Sequence, residues 1–204
     1  MVLAPPAYSA EKMYFQANGG DGAGYELWSY DGTNAPTRVT NLNPGAGNSY
    51  PVGLTVFNDK LYFRANDGTS GMELWCYNGT TTSLVADINP GSADSNAGAF
   101  GIYNNKLYFS ATNGSGYALW SYDGTNAPTI AANVTHAVNN GAGKSFYTTF
   151  NNKLYFPGTD AAGGDELWSY DGTNAPRVAD IRVGIYGSGA STPTVFGSKL
   201  YFQA

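Results

Sequence analysis

Hydrophobic and polar positions alternate in short bursts along the chain, and nearly every burst is closed by Gly, Asn, Asp or Pro. One unit shows the set: "GLTVF" (Gly53–Phe57), "KLYFRA" (Lys60–Ala65), "MELWCY" (Met72–Tyr77) and "TSLVADI" (Thr82–Ile88). The bursts are rich in β-branched and aromatic residues and too short for helices, so each predicts a strand. No stretch sustains a 3.6-residue period.

The connections have unequal lengths. "NDK" and "NGTT" are tight, "NDGTSG" is moderate, and "NPGSADSNAGAF" is long. Tight turns join antiparallel neighbours, which orders the unit as a four-strand meander from "GLTVF" to "TSLVADI". The long segment then crosses from the outer edge of one unit to the inner strand of the next. By parity, the "NDGTSG"-type and long loops leave on one face and the tight turns on the other. Function is expected on the long-loop face.

The unit repeats. Trp28, Trp75, Trp120 and Trp168 are spaced 47, 45 and 48 residues apart, a period of solenoids and propellers. Around them run "YELWSYDGTNAP" (Tyr25–Pro36), "MELWCYNGTTTS" (Met72–Ser83), "YALWSYDGTNAP" (Tyr117–Pro128) and "DELWSYDGTNAP" (Asp165–Pro176). Asp-Gly supplies the positive φ of a hairpin turn, and "ELWSY" supplies side chains for both surfaces of a blade held between neighbours. The second-strand motif opens at Lys12, Lys60, Lys106, Lys153 and Lys199, five times against four tryptophan motifs. The expected fold is all-β: a β-propeller of about 47-residue four-stranded blades, spanning roughly 4–48, 49–95, 96–143 and 144–188, with the inner half of a fifth at 189–204. Four blades closing alone with the last hairpin spare, or a slice of a longer array, are alternatives to the favoured closure, a five-bladed ring whose last blade lacks its outer strands and leaves Leu200, Tyr201 and Phe202 on an edge open to another chain.

"ELW" plus "YDGT", with "DINPG" downstream and "KLYF" after that, resembles the ELWxxDGT repeats of large secreted or surface proteins of bacteria. The likeness covers nearly the whole chain, with Ala118 breaking "ELW" in the third repeat and Asn78 breaking "DGT" in the second. It implies an extracellular or cell-surface, propeller-like module used for adhesion or recognition, and it transfers no catalytic residue. A weaker likeness, in period and blade number only, is to tachylectin-type five-bladed lectins, which bind amino sugars at repeated sites.

Charge removes some partners. The formal net charge is −5 and the ten Lys and Arg are scattered, so no basic stripe exists for nucleic acid. No apolar run reaches the roughly 18 residues of a membrane span, and Met1–Ala10 lacks a signal peptide's charged start and apolar stretch. A soluble chain is expected.

Catalysis is poorly supplied. One His and one Cys exclude a multi-His or multi-Cys zinc site within the chain. Glu26, Glu73 and Glu166, like Asp31, Asp123 and Asp171, repeat around the ring, which marks them as structural, because an active site is normally singular. "GAGKS" (Gly141–Ser145) mimics a P-loop but has Val138 where the first glycine belongs and no helix after it. Cys76 stands where Ser29, Ser121 and Ser169 stand and reads as a small tolerated substitute. The chain is therefore expected not to be an enzyme and to carry no cofactor.

Binding is better supplied. Asp21, Asp67, Asn113 and Asp160 hold equivalent places in the first long loop, as hydroxyl acceptors for a sugar, as oxygen ligands for calcium, or as turn formers. Tyr25, Tyr50 and Tyr117 lie nearby in sequence and offer apolar plates for sugar C–H faces. Calcium would need six to eight oxygens per ion, and no window has the D-x-D-x-D-G density to supply them. Asn41, Asp87, His136 and Asp180 form a second column at the end of the outer strand, where a polar side chain would cap the following turn. The expected function is multivalent recognition of glycans or cell-surface polymers. The alternative is a structural or filament-forming module that self-associates through the incomplete blade.

Overall fold

The computed structural model describes residues 12–132, 136–137, 147–159, 165–174, 177–179, 181–182 and 187–204. Asp160, Asp180 and Gly141–Ser145 lie outside them. The strands are β1 (Met13–Asn18), β2 (Tyr25–Tyr30) and β3 (Thr37–Arg38); β4 (Val52–Phe57), β5 (Lys60–Asn66), β6 (Met72–Tyr77) and β7 (Thr82–Ala86); β8 (Gly98–Tyr103), β9 (Lys106–Thr112), β10 (Tyr117–Tyr122) and β11 (Thr129–Ala132); β12 (His136–Ala137), β13 (Thr148–Phe150), β14 (Lys153–Thr159), β15 (Asp165–Tyr170) and β16 (Arg177–Ala179); β17 (Ser191–Phe196) and β18 (Lys199–Gln203). They pair into five antiparallel sheets. Two are the expected meanders, β4-β5-β6-β7 and β8-β9-β10-β11, and the last is the hairpin β17-β18. The first strands of successive blades pack together, β4 on β8, β8 on β13 and β13 on β17, which places them innermost.

Alternation along each strand feeds two blade junctions at once. Leu61, Phe63 and Ala65 of β5 pack with Leu27 and Trp75 towards the first blade. Tyr62, between them in sequence, turns the other way and packs with Leu107, Phe109 and Trp120 of the third blade. Edge-on tyrosine pairs repeat across the junctions: Tyr14–Tyr77, Tyr62–Tyr122 and Tyr108–Tyr170, with ring centroids 5.9, 5.7 and 5.9 Å apart. Each buried aromatic contributes about 2 kcal/mol by area, which suits a fold whose blades touch only their neighbours. Cys76 is buried within this packing and its thiol is pushed up by burial, the environment of an inert cysteine.

The glutamate of "ELW" has a further job. Glu73 is wholly buried and accepts the backbone N–H groups of Ile88 and Ser95 at 2.9 and 2.8 Å. Glu26 accepts those of Leu42 and Asn43, and the Ser49 hydroxyl at 2.6 Å. Glu166 accepts from Ile181, from the Ser188 backbone and from the Ser188 hydroxyl at 3.2, 2.9 and 2.9 Å. One carboxylate thus holds both ends of the crossing to the next blade. Ser49 and Ser95 pass the connection on, their carbonyls accepting the N–H groups of Asn66 and Thr112.

The third repeat, with Ala118 in place of that glutamate, takes a different route. Its crossing lends His136 and Ala137 to the fourth sheet, where they pair with Thr159 and Gly158, while β13 pairs with the other half of β14. The innermost position of that blade is therefore split between two segments. His136, expected at the end of an outer strand, lies on the sheet of the following blade instead, in the repeat where Ala118 cannot supply the carboxylate that Glu73 supplies in its own.

Candidate functional site on the long-loop face

The β1–β2, β5–β6 and β9–β10 loops share a face with the crossings, as parity predicts. The Asn48 side chain accepts the Tyr25 N–H at 2.8 Å, and Asp94 accepts the Met72 N–H at 2.7 Å, so each crossing is tied to the start of a third strand. Asn43 and Asn89 brace the crossings from within, donating to the carbonyls of Asn48 and Asp94 at 3.1 and 2.9 Å. The opposite face carries the tight turns, where the Tyr103 hydroxyl bridges to the carbonyls of Asn152 and Asp171 at 2.7 and 3.1 Å.

The Asx residues of the first long loop fold back on their own turns. Asp67 accepts the N–H groups of Thr69 and Ser70 at 2.8 and 2.7 Å, and Asn113 accepts that of Ser115 at 3.1 Å. Asp21 accepts the Ala23 N–H at 3.1 Å and pairs with Arg38. In the three blades where this position is described, the side-chain oxygens of Asp21, Asp67 and Asn113 serve turn geometry. Asp87 does the same in the second column, accepting the Gly91 N–H at 3.1 Å. Asn41 is exposed. Among the described residues no cluster of three His, Cys, Asp or Glu side chains could hold a metal ion.

The tyrosines divide. Tyr25 and Tyr50 come together at the first junction with near-parallel rings, centroids 5.7 Å apart and planes 21° apart, both open to solvent. Tyr50 holds φ at +46°, a left-handed conformation unusual for an aromatic residue, and one that accompanies this pairing. Tyr117 stands at the next junction, with Arg64, Asp94 and Asn96 instead of a second ring.

Arg64, Asn48, Asp94 and Asn96 were not expected from sequence. The signal available was variation inside a fixed phrase, since the x of "KLYFxA" reads Gln16, Arg64, Ser110, Pro157 and Gln203.

The repeated acids differ in environment. Burial is the largest influence on both Glu73 and Glu166 and works to raise each. At Glu73 it prevails and the carboxyl is pushed above its usual range. At Glu166 the N–H groups of Ile181, Ser188 and Arg182, with the Ser188 hydroxyl, outweigh it and the carboxyl is held low. On the turn face Asp123 is held at about 2 by the Asn126 side chain, then by the N–H groups of Asn126 and Thr125.

At the half-blade, Phe196 is 78% exposed where its counterpart Phe57 is 3% exposed, and Tyr201 is 53% exposed where Tyr62 is 1%. Phe202 is also exposed and Leu200 half-buried, so the expected edge is an uncovered apolar face.

The chain matches no family model, and no curated protein matches it. Among solved structures it is similar to TolB from Acinetobacter baumannii, with a TM-score of 0.59 and 14% identity over 94% of this chain and 45% of that one. It is also similar to the β-propeller domain of the Trilobed protease from Pyrococcus furiosus, with a TM-score of 0.47 and 12% identity over 76% of this chain and 45% of that one. A third, Zg3597, a family 117 glycoside hydrolase from Zobellia galactanivorans, gives a TM-score of 0.42 and 13% identity over 88% of this chain and 61% of that one. The chain spans less than half the length of the first two. Repeated four-stranded sheets, innermost first strands and the likeness to TolB make the fold a β-propeller.

Proposed function

We propose that this propeller is an extracellular, non-catalytic recognition module that binds saccharides at its blade junctions on the long-loop face. The observation that carries the reading is the solvent-open pair Tyr25 and Tyr50, set beside Asn48 where one blade's third strand meets the crossing. Saccharides need an apolar plate for their C–H faces and polar groups at set angles around it, and weak sites gain by repetition on one surface. The repeated carboxylates support a non-catalytic reading, because each accepts hydrogen bonds that hold a crossing or a turn. A glycan array probed with the chain at high concentration tests it: binding that is lost in Tyr50→Ala supports the reading, and an array with no bound glycan removes it.

A second reading rests on the half-blade. Phe196 and Tyr201 expose apolar surface that the other blades bury, and an uncovered sheet face with a free edge favours association. On this reading the chain is a structural or filament-forming module. Light scattering across a wide concentration range tests it: growth in mass that Phe196→Ser abolishes supports assembly, and a monomer throughout removes it.

A further inference from the structure

We propose that the junction between the second and third blades binds the anionic group of an acidic saccharide on Arg64, an inference that rests on the carbohydrate reading above and names its ligand class at this junction.

Arg64 is the one charged residue at the variable position of the "KLYFxA" phrase. Its direction follows from strand alternation: Leu61, Phe63 and Ala65 face the first blade, so Arg64, like Tyr62, is directed into the junction with the third. Its place near the end of β5 sets it under the long-loop face, beside the crossing that carries Asp94 and Asn96.

The guanidinium is only partly compensated there. Nη1 lies 3.5 Å from the Asn96 side-chain oxygen, the outer limit of a hydrogen bond. Nε is buried and has no hydrogen-bond partner among the described residues. Asp94 and Tyr117 contribute favourable fields, but among the described residues the only ion pair is Arg38–Asp21, so Asp94 stands beyond ion-pair distance. Asp94 is also engaged, its carboxylate accepting the Met72 N–H. Taking a cation out of water is unfavourable unless it is paired, and burial accordingly pulls Arg64 below its ordinary value against the fields of Tyr117 and Asp94. A guanidinium offers parallel N–H donors that match a planar carboxylate or two oxygens of a sulfate. Tyr117 opens the third strand of the third blade and its field reaches Arg64, so the ring for the sugar body and the charge for its acid group come from adjacent blades.

NMR of the ¹⁵N-labelled chain tests this by following the Arg64 Nε–H signal through titrations with glucose, glucuronate, glucose 6-sulfate and acetate. The expected result is that glucuronate or glucose 6-sulfate shifts that signal together with the Asn96 and Tyr117 amides, whereas glucose does not. Arg64→Gln, which installs the residue the first and fifth repeats already carry, should weaken the acidic sugar at least tenfold with the melting temperature almost unchanged. Arg64→Lys should fall between. The acidic sugar that binds tighter names the anion as carboxylate or sulfate, and either supports the proposal. Acetate shifting Arg64 while no sugar binds would uphold the anion site and remove the carbohydrate reading. Glucose and glucuronate binding alike, in wild type and Arg64→Gln, would overturn the proposal while sugar binding stands. An Arg64 signal that moves with none of the four probes would also overturn it.

Discussion

The two faces of this propeller are built from the same repeat yet differ in what they hold constant. On the tight-turn face Asp31, Asn78, Asp123 and Asp171 make the same turn, each side-chain oxygen accepting the N–H groups of the second and third residues after it. On the long-loop face the first two crossings are pinned alike but topped differently: two tyrosines at the first junction, and Arg64 with Asn96 and Tyr117 at the second. Chemistry that repeats around the ring builds blades, and chemistry that changes from junction to junction is free to recognise.

The sharpest way to break the comparison is to remove a pin beneath the variable face. Glu73→Ala leaves the buried N–H groups of Ile88 and Ser95 unsatisfied, each worth about 1–3 kcal/mol. Thermal unfolding followed by circular dichroism should show a loss of about 3 kcal/mol, or roughly 8 °C for a chain of this size. Glu73→Gln, which keeps one acceptor, should lose less. An unchanged melting temperature for Glu73→Ala would mean the crossing is held by other contacts.

Next in size is a change in binding without a change in stability. Tyr25→Ala and Tyr50→Ala remove exposed rings, so melting should move by less than about 2 °C, while affinity for any glycan found on the array should fall about tenfold, equivalent to about 1.4 kcal/mol. Isothermal titration calorimetry measures it. Equal affinity in both variants would separate these rings from recognition.

The smallest effect lies on the constant face. Asp31, Asp123 and Asp171 are all held below the usual aspartate value, led in each case by the Asn three residues on. A carboxylate depressed in the folded state takes its proton later than in the unfolded chain, so its contribution is complete above the unfolded value near ~4. It is lost as pH falls towards about 2, the folded value of Asp123. Replacing all three by Asn, as Asn78 already does in the second repeat, should flatten the stability profile between those limits by removing the carboxylates' contribution at pH 7. A slope that survives in the triple variant would assign acid sensitivity to other carboxylates.

Much of this architecture was legible because turn chemistry is local. Asp-Gly and Asn-Gly pairs announced the hairpins, and unequal loop lengths gave the meander and the sharing of faces. The role of the "ELW" glutamate was legible only as repetition, since its partners lie 15 to 23 residues away. For the same reason Ala118 was visible as a broken motif, while the split inner strand of the fourth blade, its structural counterpart, was not. Tyr25 and Tyr50 were both expected at the site, but their pairing depends on a crossing that returns over the start of a third strand. Tyr117 had to be separated from them, because the junction it serves is a different one. Arg64 was hidden in a strand phrase that otherwise reads as core, and only the direction of its side chain exposed it.

The most direct test of the central claim is a backbone ¹H–¹⁵N map of the chain titrated with a glycan selected from the array. The account predicts shifts confined to the long-loop face, centred on Tyr25, Asn48 and Tyr50 or on Arg64, Asn96 and Tyr117, with the turns at Asp31, Asn78, Asp123 and Asp171 unmoved. Shifts centred on those turns, with the junctions silent, would contradict it.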